Sequence, residues 1–334
     1  MKKYAIDINY NWKGSYDAGP KARIDVSRTL KNKGYRIVCI KNREFKSKKL
    51  FSLCRKLQII WLYLRFLRKA DIVLFQFPGV ISLWLLGKLR KNNTKITILI
   101  HDLENIRGER SFTEKSVLDF ADNIISHTPR MTEFLRQNGV SAKIHIINLF
   151  DYYINGNSVL HTTSTNSVAF CGNLSKSPFI AMLDNIQLDY KIYLYGNGLT
   201  KEITNKSVEH LGAFNSNEVS NIRGEWGLVW DGDSVYGCET SAIGRYLRYN
   251  SSHKSSLYIV AEKPLIVWKE AAIAEFVEKM GIGITVSSLL DIGPAIKSIT
   301  QEQYKTYMAN IMSLKEKLTK GEILSQVIAE IENE

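Results

Sequence analysis

The chain has 334 residues, 45% hydrophobic and 23% charged, which excludes disorder for most of its length and exceeds what one ordinary core holds. Lysine and arginine outnumber aspartate and glutamate 45 to 33, a net charge of +12 that favours an anionic partner such as nucleic acid, an acidic membrane or a phosphorylated substrate. Four scattered cysteines without a C-x-x-C pair imply neither a zinc site nor a disulfide framework, and no stretch has the pattern of a signal peptide or membrane span, so a cytoplasmic protein is expected.

Residues 4–8 read as a strand and 9–20 as a loop rich in glycine, asparagine and aspartate. Residues 21–33 read as a helix stopped by Gly34, and 35–40 as a second strand, the opening of a parallel sheet. The helix over 52–69 is strongly apolar but interrupted by Arg55, Lys56, Arg65, Arg68 and Lys69. It either covers the sheet or lays a basic amphipathic face on anionic lipid. Strand 71–77 ends at Pro78, helix 80–89 follows, and strand 95–100 runs into His101-Asp102. Strand 122–127, helix 132–137 with its stop at Gly139, and strand 144–149 complete a doubly wound, Rossmann-like series.

Periodicity is lost over 151–167, where a linker is expected. A second alternating series follows, with strands at 168–171, 191–195, 209–211, 227–230, 265–268 and 283–286. Helices at 289–299 and 301–318 precede a last helix at 321–334. The expected fold is α/β: one Rossmann-like domain over 1–157, a second over 158–318, and a segment 319–334 that crosses back to the first. Two such domains bring their strand ends to a shared cleft, where ligands of open α/β sheets bind.

The chemistry belongs in the loops. No G-x-x-x-x-G-K-[ST] or G-x-G-x-x-G occurs, which disfavours a P-loop enzyme and a dehydrogenase, and neither H-E-x-x-H nor G-x-S-x-G is present. Ser252-His253-Lys254-Ser255-Ser256 opens a helix with hydroxyls and a mobile cation, which suits a diphosphate. The plainer alternative is an N-capping serine beside a solvated lysine. Asp231-Gly232-Asp233 has the form of a D-x-D metal motif, but also of a polar turn at a strand end that shapes a sugar pocket. Two glycine turns, 171–176 with Asn173 and Lys176 and 194–198 with Tyr195, end the first two strands of the second half. Tyr195 either stacks on a base or is packed. In the first half Asp102, with His101 beside it, is placed to take a proton from an acceptor hydroxyl. His127 and Asp17 are weaker candidates, and His145, His161 and His210 read as structural.

DAGPKAR (17–23), LIHDLENIRG (99–108), DNIISHTPRMTEFL (122–135), CGNLSK (171–176), GLVWDGDSV (227–235) and YNSSHKSSLYIV (249–260) carry a family resemblance. They resemble the bacterial family that contains β-1,6-galactofuranosyltransferases and, more distantly, the glucosyltransferases that extend glycans on serine-rich-repeat adhesins. The resemblance implies a GT-B fold, with an N-terminal acceptor domain and a C-terminal domain for a UDP-sugar, and no metal or other cofactor. It places Lys176, Tyr195 and 252–256 in the donor site, and Gly19, Pro20 and Lys21 in an N-terminal loop facing it. Ser252 stands where the galactofuranosyltransferase pattern often has proline. The expected partners are a UDP-sugar, a lipid-linked or protein-linked glycan acceptor and the anionic inner face of the cell membrane, with homo-oligomerisation compatible. Nucleic acid is not expected, since only 52–69 approaches a basic stripe with interleaved aromatics. The expected activity is inverting transfer of galactofuranose, with glucose transfer to an adhesin glycan or a non-catalytic partner role as the alternatives.

Overall fold

The computed structural model describes residues 1–9, 18–41, 48–79, 81–108, 112–156 and 166–333. Asp17, Val80, His161, the stretch 10–17 of the first loop and the expected boundary between 157 and 158 lie outside the described residues.

Among the described residues the first half holds β1 (Lys3–Asn9), β2 (Arg36–Lys41), β3 (Ile72–Phe77), β4 (Lys95–Ile100), β5 (Asn123–Ser126) and β6 (Lys143–Ile146). They form one parallel sheet in the order β2-β1-β3-β4-β5-β6. The second half holds β7 (Ser167–Cys171), β8 (Lys191–Tyr195), β9 (Val208–His210), β10 (Trp226–Val229), β11 (Leu265–Trp268) and β12 (Gly283–Val286). These are also all parallel, in the order β12-β11-β10-β7-β8-β9. Every residue of β3, β7, β10 and β11 is buried, because helices cover both faces of each sheet. Strand order reverses between β1 and β3 in the first sheet and between β7 and β10 in the second. A crevice opens at such a reversal, beyond the carboxyl ends of the strands.

The helices are α1 (Ala18–Asn32), α2 (Lys48–Arg65), α3 (Leu83–Lys91), α4 (Glu104–Arg107), α5 (Lys115–Leu118) and α6 (Pro129–Gln137) in the first half. In the rest of the chain they are α7 (Ala242–Tyr246), α8 (His253–Val260), α9 (Ala274–Met280), α10 (Ile292–Ser298), α11 (Gln301–Lys320) and α12 (Glu322–Glu332). The sequence places the long ones but not α4, α5 and α7, which are too short to show a 3.6-residue period. The helix expected over 52–69 begins at Lys48, ends at Arg65 and passes into a 3-10 turn at Leu67–Lys69.

Two glycines fix positions that matter for the cleft. A Cβ at Gly227 in β10 would lie 2.1 Å from Tyr258 Cγ, so only glycine lets α8 press this closely on the sheet. Tyr258 in turn accepts the Cys171 N–H at 2.8 Å, which fixes α8 to the end of β7. Gly321 breaks α11 from α12 at φ +75, and a Cβ there would meet the Tyr153 hydroxyl at 2.0 Å.

The stretch after β6 is not a slack connection where it is described. Asp151, Tyr152 and Tyr153 are buried. Asp151 accepts the Ile323 and Leu324 N–H groups at 3.1 and 3.2 Å and so caps α12. Leu324, Val327, Ile328 and Ile331 recur at helical spacing and pack in one core with Ala5, Val26 and Leu30 of the first half. α12 thus lies on the first sheet beside α1, and Lys3 pairs with Glu332 at 2.9 Å.

Candidate active site

The carboxyl edge of the second sheet is centred on Lys254. Its ammonium donates to both oxygens of Asp231 at 2.9 Å and to the Trp230 carbonyl at 3.2 Å, and lies 5.3 Å from the Phe170 ring centroid. Lys254 therefore spans the ends of β7 and β10, at the strand-order reversal. Ser252 is the N-cap of α8, its hydroxyl accepting the Lys254 N–H. Of the plainer alternative the structure keeps one part: the serine caps, but the lysine is ion-paired rather than solvated. The Ser255 N–H donates to the Ser252 carbonyl at 2.9 Å, so this amide is not free to hold a diphosphate. Ser255 and Ser256 are both buried.

Four buried polar atoms lie within six residues here and have no protein partner: Asn250 Oδ1, Ser251 Oγ, His253 Nε2 and Ser255 Oγ. Such atoms are rare in folded proteins, and a run of them is where ordered water or a polar ligand can supply the missing bonds. The His253 ring stacks on Tyr152 with centroids 4.9 Å apart and is tilted against Phe150 at 6.2 Å. Burial, with a smaller contribution from Lys21, pushes its pKa down to about 3. It is a neutral hydrogen-bonding group, not a cation.

Gly19, Pro20 and Lys21 differ from the sequence reading, and Tyr195 takes the packed one of its two alternatives. Pro20 and Lys21 lie in the first turns of α1 rather than in a loop, and the backbone of Gly19 lies there too. The Lys21 ammonium is buried, held by Asp25 at 2.5 Å and the Tyr153 carbonyl at 2.5 Å, over the Tyr152 ring at 4.6 Å. It is a pillar beneath Tyr152 and His253 and does not reach into the cleft. Tyr195 is 4% exposed, its hydroxyl accepting the Arg223 N–H at 2.6 Å and donating to the Asn221 carbonyl, so it packs and presents no open ring for a base. Asn173 is exposed and caps the short turn Leu174–Lys176 by accepting the Ser175 N–H at 3.1 Å, and Lys176 is exposed at the end of that turn. Asp233 accepts the Thr240 hydroxyl. Among the described residues no group of three or more His, Cys, Asp or Glu is placed to hold a metal ion.

The facing wall comes from the first sheet. Asp102 follows β4 and pairs loosely with Arg107 at 3.6 Å. Burial raises its pKa against the opposing pull of Arg107, and Glu104 raises it further. Arg23 and Lys176 lower it, and Lys176 belongs to the second half, so the carboxylate senses the donor side across the cleft. His101 is a poor substitute for it. Its Nε2 hydrogen-bonds Gln76 Oε1 at 2.7 Å, its ring stacks on Phe150 at 5.4 Å, and burial drives its pKa well below the usual histidine value. The bond to Gln76 and the stack on Phe150 fix the orientation of its neutral ring. Arg23, which the sequence reading does not single out, pairs with Asp7 at 3.2 Å and also donates to the Pro78 carbonyl, next to Gln76.

His127 ties the two walls together. Its Nε2–H donates to the Ile100 carbonyl at 2.9 Å, and its Nδ1 accepts the Ser251 N–H at 3.2 Å, one residue before the α8 cap. Thr128 donates to the Tyr249 carbonyl at 2.6 Å, and Tyr246 accepts the Leu103 N–H at 2.8 Å. Burial lowers the His127 pKa to about 4. The unfolded chain takes up a proton near pH 6.5 and the folded chain only near 4. The stability this histidine contributes is therefore complete above pH 6.5 and is lost as pH falls from there towards 4. Its share of the loss from pH 7.5 to 5 is about 2 kcal/mol, and urea midpoints of wild type and His127→Gln at both pH values should differ in their pH dependence by that amount. Asp25, with its pKa raised to about 6 mainly by burial, acts in the opposite sense, so the paired comparison is needed to isolate the histidine.

Two Rossmann-like domains that bring their strand ends to a shared cleft have the architecture of the GT-B glycosyltransferases. The chain belongs to the Glucosyltransferase 3-like family: the family's N-terminal domain matches residues 3–149 and its C-terminal domain residues 168–331. It is 32% identical over 273 residues to the β-1,6-galactofuranosyltransferase WbbI of Escherichia coli (strain K12), covering 79% of this chain and 80% of that protein. It is 22% identical over 277 residues to Glucosyltransferase 3 of Streptococcus parasanguinis, 79% of each. Among solved structures, sucrose-phosphate synthase from Thermosynechococcus elongatus superposes with a TM-score of 0.65 at 13% identity, covering 98% of this chain and 100% of that one.

Proposed function

We propose that this glycosyltransferase moves galactofuranose from UDP-galactofuranose to a saccharide acceptor in cell-surface polysaccharide synthesis, without a metal and with inversion at the anomeric carbon. The observation that carries the choice of sugar is the 32% identity to the galactofuranosyltransferase, spread over four-fifths of both chains. In this reading the Asp102 carboxylate removes the acceptor hydroxyl proton. The oxygen then bonds to the anomeric carbon as the bond to the diphosphate oxygen breaks, and UDP leaves with the electron pair. Lys254, Lys176 and the start of α8 meet the charge that develops on UDP, the role a metal plays elsewhere. A base with a raised pKa is a stronger proton acceptor, which favours Asp102 for this task.

Lys254→Ala is expected to weaken UDP binding by about 10- to 100-fold in calorimetry, because a charge-assisted contact is lost and Asp231 then faces the diphosphate unpaired. Asp231→Asn in the same chain should recover part of that loss.

The donor is tested by UDP release from UDP-galactofuranose, UDP-galactopyranose and UDP-glucose, each with and without acceptor. Turnover confined to UDP-galactofuranose supports the proposal. Turnover confined to UDP-glucose supports the second reading, glucose transfer to a protein-linked glycan, for whose sugar the family description and the streptococcal relative speak. UDP binding with no turnover on any donor points to a non-catalytic partner role.

A further inference from the structure

On the first domain, away from the cleft, α2 turns an apolar face to solvent. Leu53, Leu57, Trp61 and Leu64 are each more than half exposed, and Ile60 is exposed beside them. At ~100° per residue these five positions fall within an arc of roughly 100° on the helix. Ile59 and Leu62, on the other side of the helix, are buried in the core of the first sheet. α2 is therefore apolar on two faces, of which the protein uses one. The outer stripe continues onto α3, where Leu83 and Trp84 are exposed and Trp84 packs edge-on against Tyr63 at 5.6 Å. Contiguous exposed apolar surface of this kind marks an interaction site.

The charge around the stripe selects the partner. Lys56 flanks it on one side and Arg65 on the other, both exposed. Residues 45–70 hold eight lysines and arginines and no aspartate or glutamate. A second copy docking helix to helix through this face would bring basic rims together, and neither α2 nor α3 carries an aspartate or glutamate to compensate them. An anionic lipid surface offers the complement to both features: headgroups for the rim and acyl chains for leucine and tryptophan. Among the described residues no helix is long and apolar enough to cross a membrane, so the contact would be in the plane of the surface.

We infer that the α2–α3 face seats the acceptor domain on a bilayer containing anionic phospholipid, with the axis of α2 parallel to the surface and Leu57 and Trp61 inserted. This goes beyond the sugar assignment and does not depend on it, since binding is measured with neither donor nor acceptor present.

The test is flotation of the full chain with vesicles of phosphatidylcholine and phosphatidylglycerol, against vesicles of phosphatidylcholine alone. Wild type should float with the mixed vesicles only, and less as salt is raised. Leu57→Ser/Trp61→Ser should bind roughly tenfold more weakly or less, with an unchanged melting temperature because both side chains are exposed. Lys56→Glu/Arg65→Glu should lose binding while keeping the apolar stripe. Equal flotation with neutral vesicles, no flotation of wild type, or unchanged binding by either variant overturns the inference. So does a wild-type oligomer in light scattering that Leu57→Ser/Trp61→Ser converts to a smaller species, which would make this face a contact between copies.

Discussion

Asp102→Asn is expected to lower transfer by about 10²- to 10⁴-fold while UDP affinity stays close to wild type. The amide keeps the shape and the contact with Arg107 but accepts no proton from an acceptor hydroxyl. Asp102 lies on the wall opposite Lys254, so the substitution removes no contact of the lysine proposed to hold UDP. Transfer kinetics with a saccharide acceptor, set beside calorimetry with UDP, separates the two effects, and near-normal turnover would remove Asp102 from the mechanism. Wild type adds an independent sign. Burial raises the Asp102 pKa, so the acid limb of kcat/KM should lie above the ordinary aspartate range, with activity falling as pH drops through it. A limb at the ordinary value would mean that some other group sets it.

Asp25→Ala should cost about 3–5 kcal/mol of folding stability, because it leaves the Lys21 ammonium buried without its carboxylate. The same change should also weaken UDP binding, for a geometric reason. Lys21 lies under Tyr152, and Tyr152 carries the His253 ring at the mouth of α8. Asp25 also accepts the Tyr153 N–H at 3.1 Å, so the segment that bears Tyr152 loses a tether with it. Urea unfolding gives the stability and calorimetry gives the affinity. Lys21→Met/Asp25→Ala should recover most of the stability, since it removes both buried charges. A single variant as stable as wild type would show that the ion pair is not needed to hold this wall.

Part of this was readable from residue order. Near-continuous runs such as IVLFQF and SVAFC announce strands buried on both faces, and their alternation with helices announces two parallel sheets. The serines before Leu257 announce a capped helix start, and Ser252 does cap it. The burial of Lys21, and the choice of packing over stacking for Tyr195, are hidden in the sequence for one reason. A lysine in a polar loop and a tyrosine at a strand end look exposed until a distant segment covers them. Lys21 is covered by Tyr152 and Tyr153, more than a hundred residues away, and the Tyr195 hydroxyl by Asn221 and Arg223. His101 failed similarly: its neighbour Asp102 is visible in the chain, but its partner Gln76 lies on another strand.

The sequence by itself determined the two sheets, the capped start of α8, the absence of acid along α2 and the family, because hydrophobic period, capping and charge are local properties of the chain. Only the tertiary structure decided which charges are spent on each other and which polar atoms are left over. Lys21 is committed to Asp25 in the interior, Asp231 holds Lys254 at the more open start of α8, and His253, Ser251 and Ser255 keep unsatisfied atoms at one spot. It also gave α2 a second, uncovered apolar face, which a helical repeat alone cannot distinguish from a buried one. Pairing and burial depend on what arrives from elsewhere in the fold, and that distance information is not written at any single position.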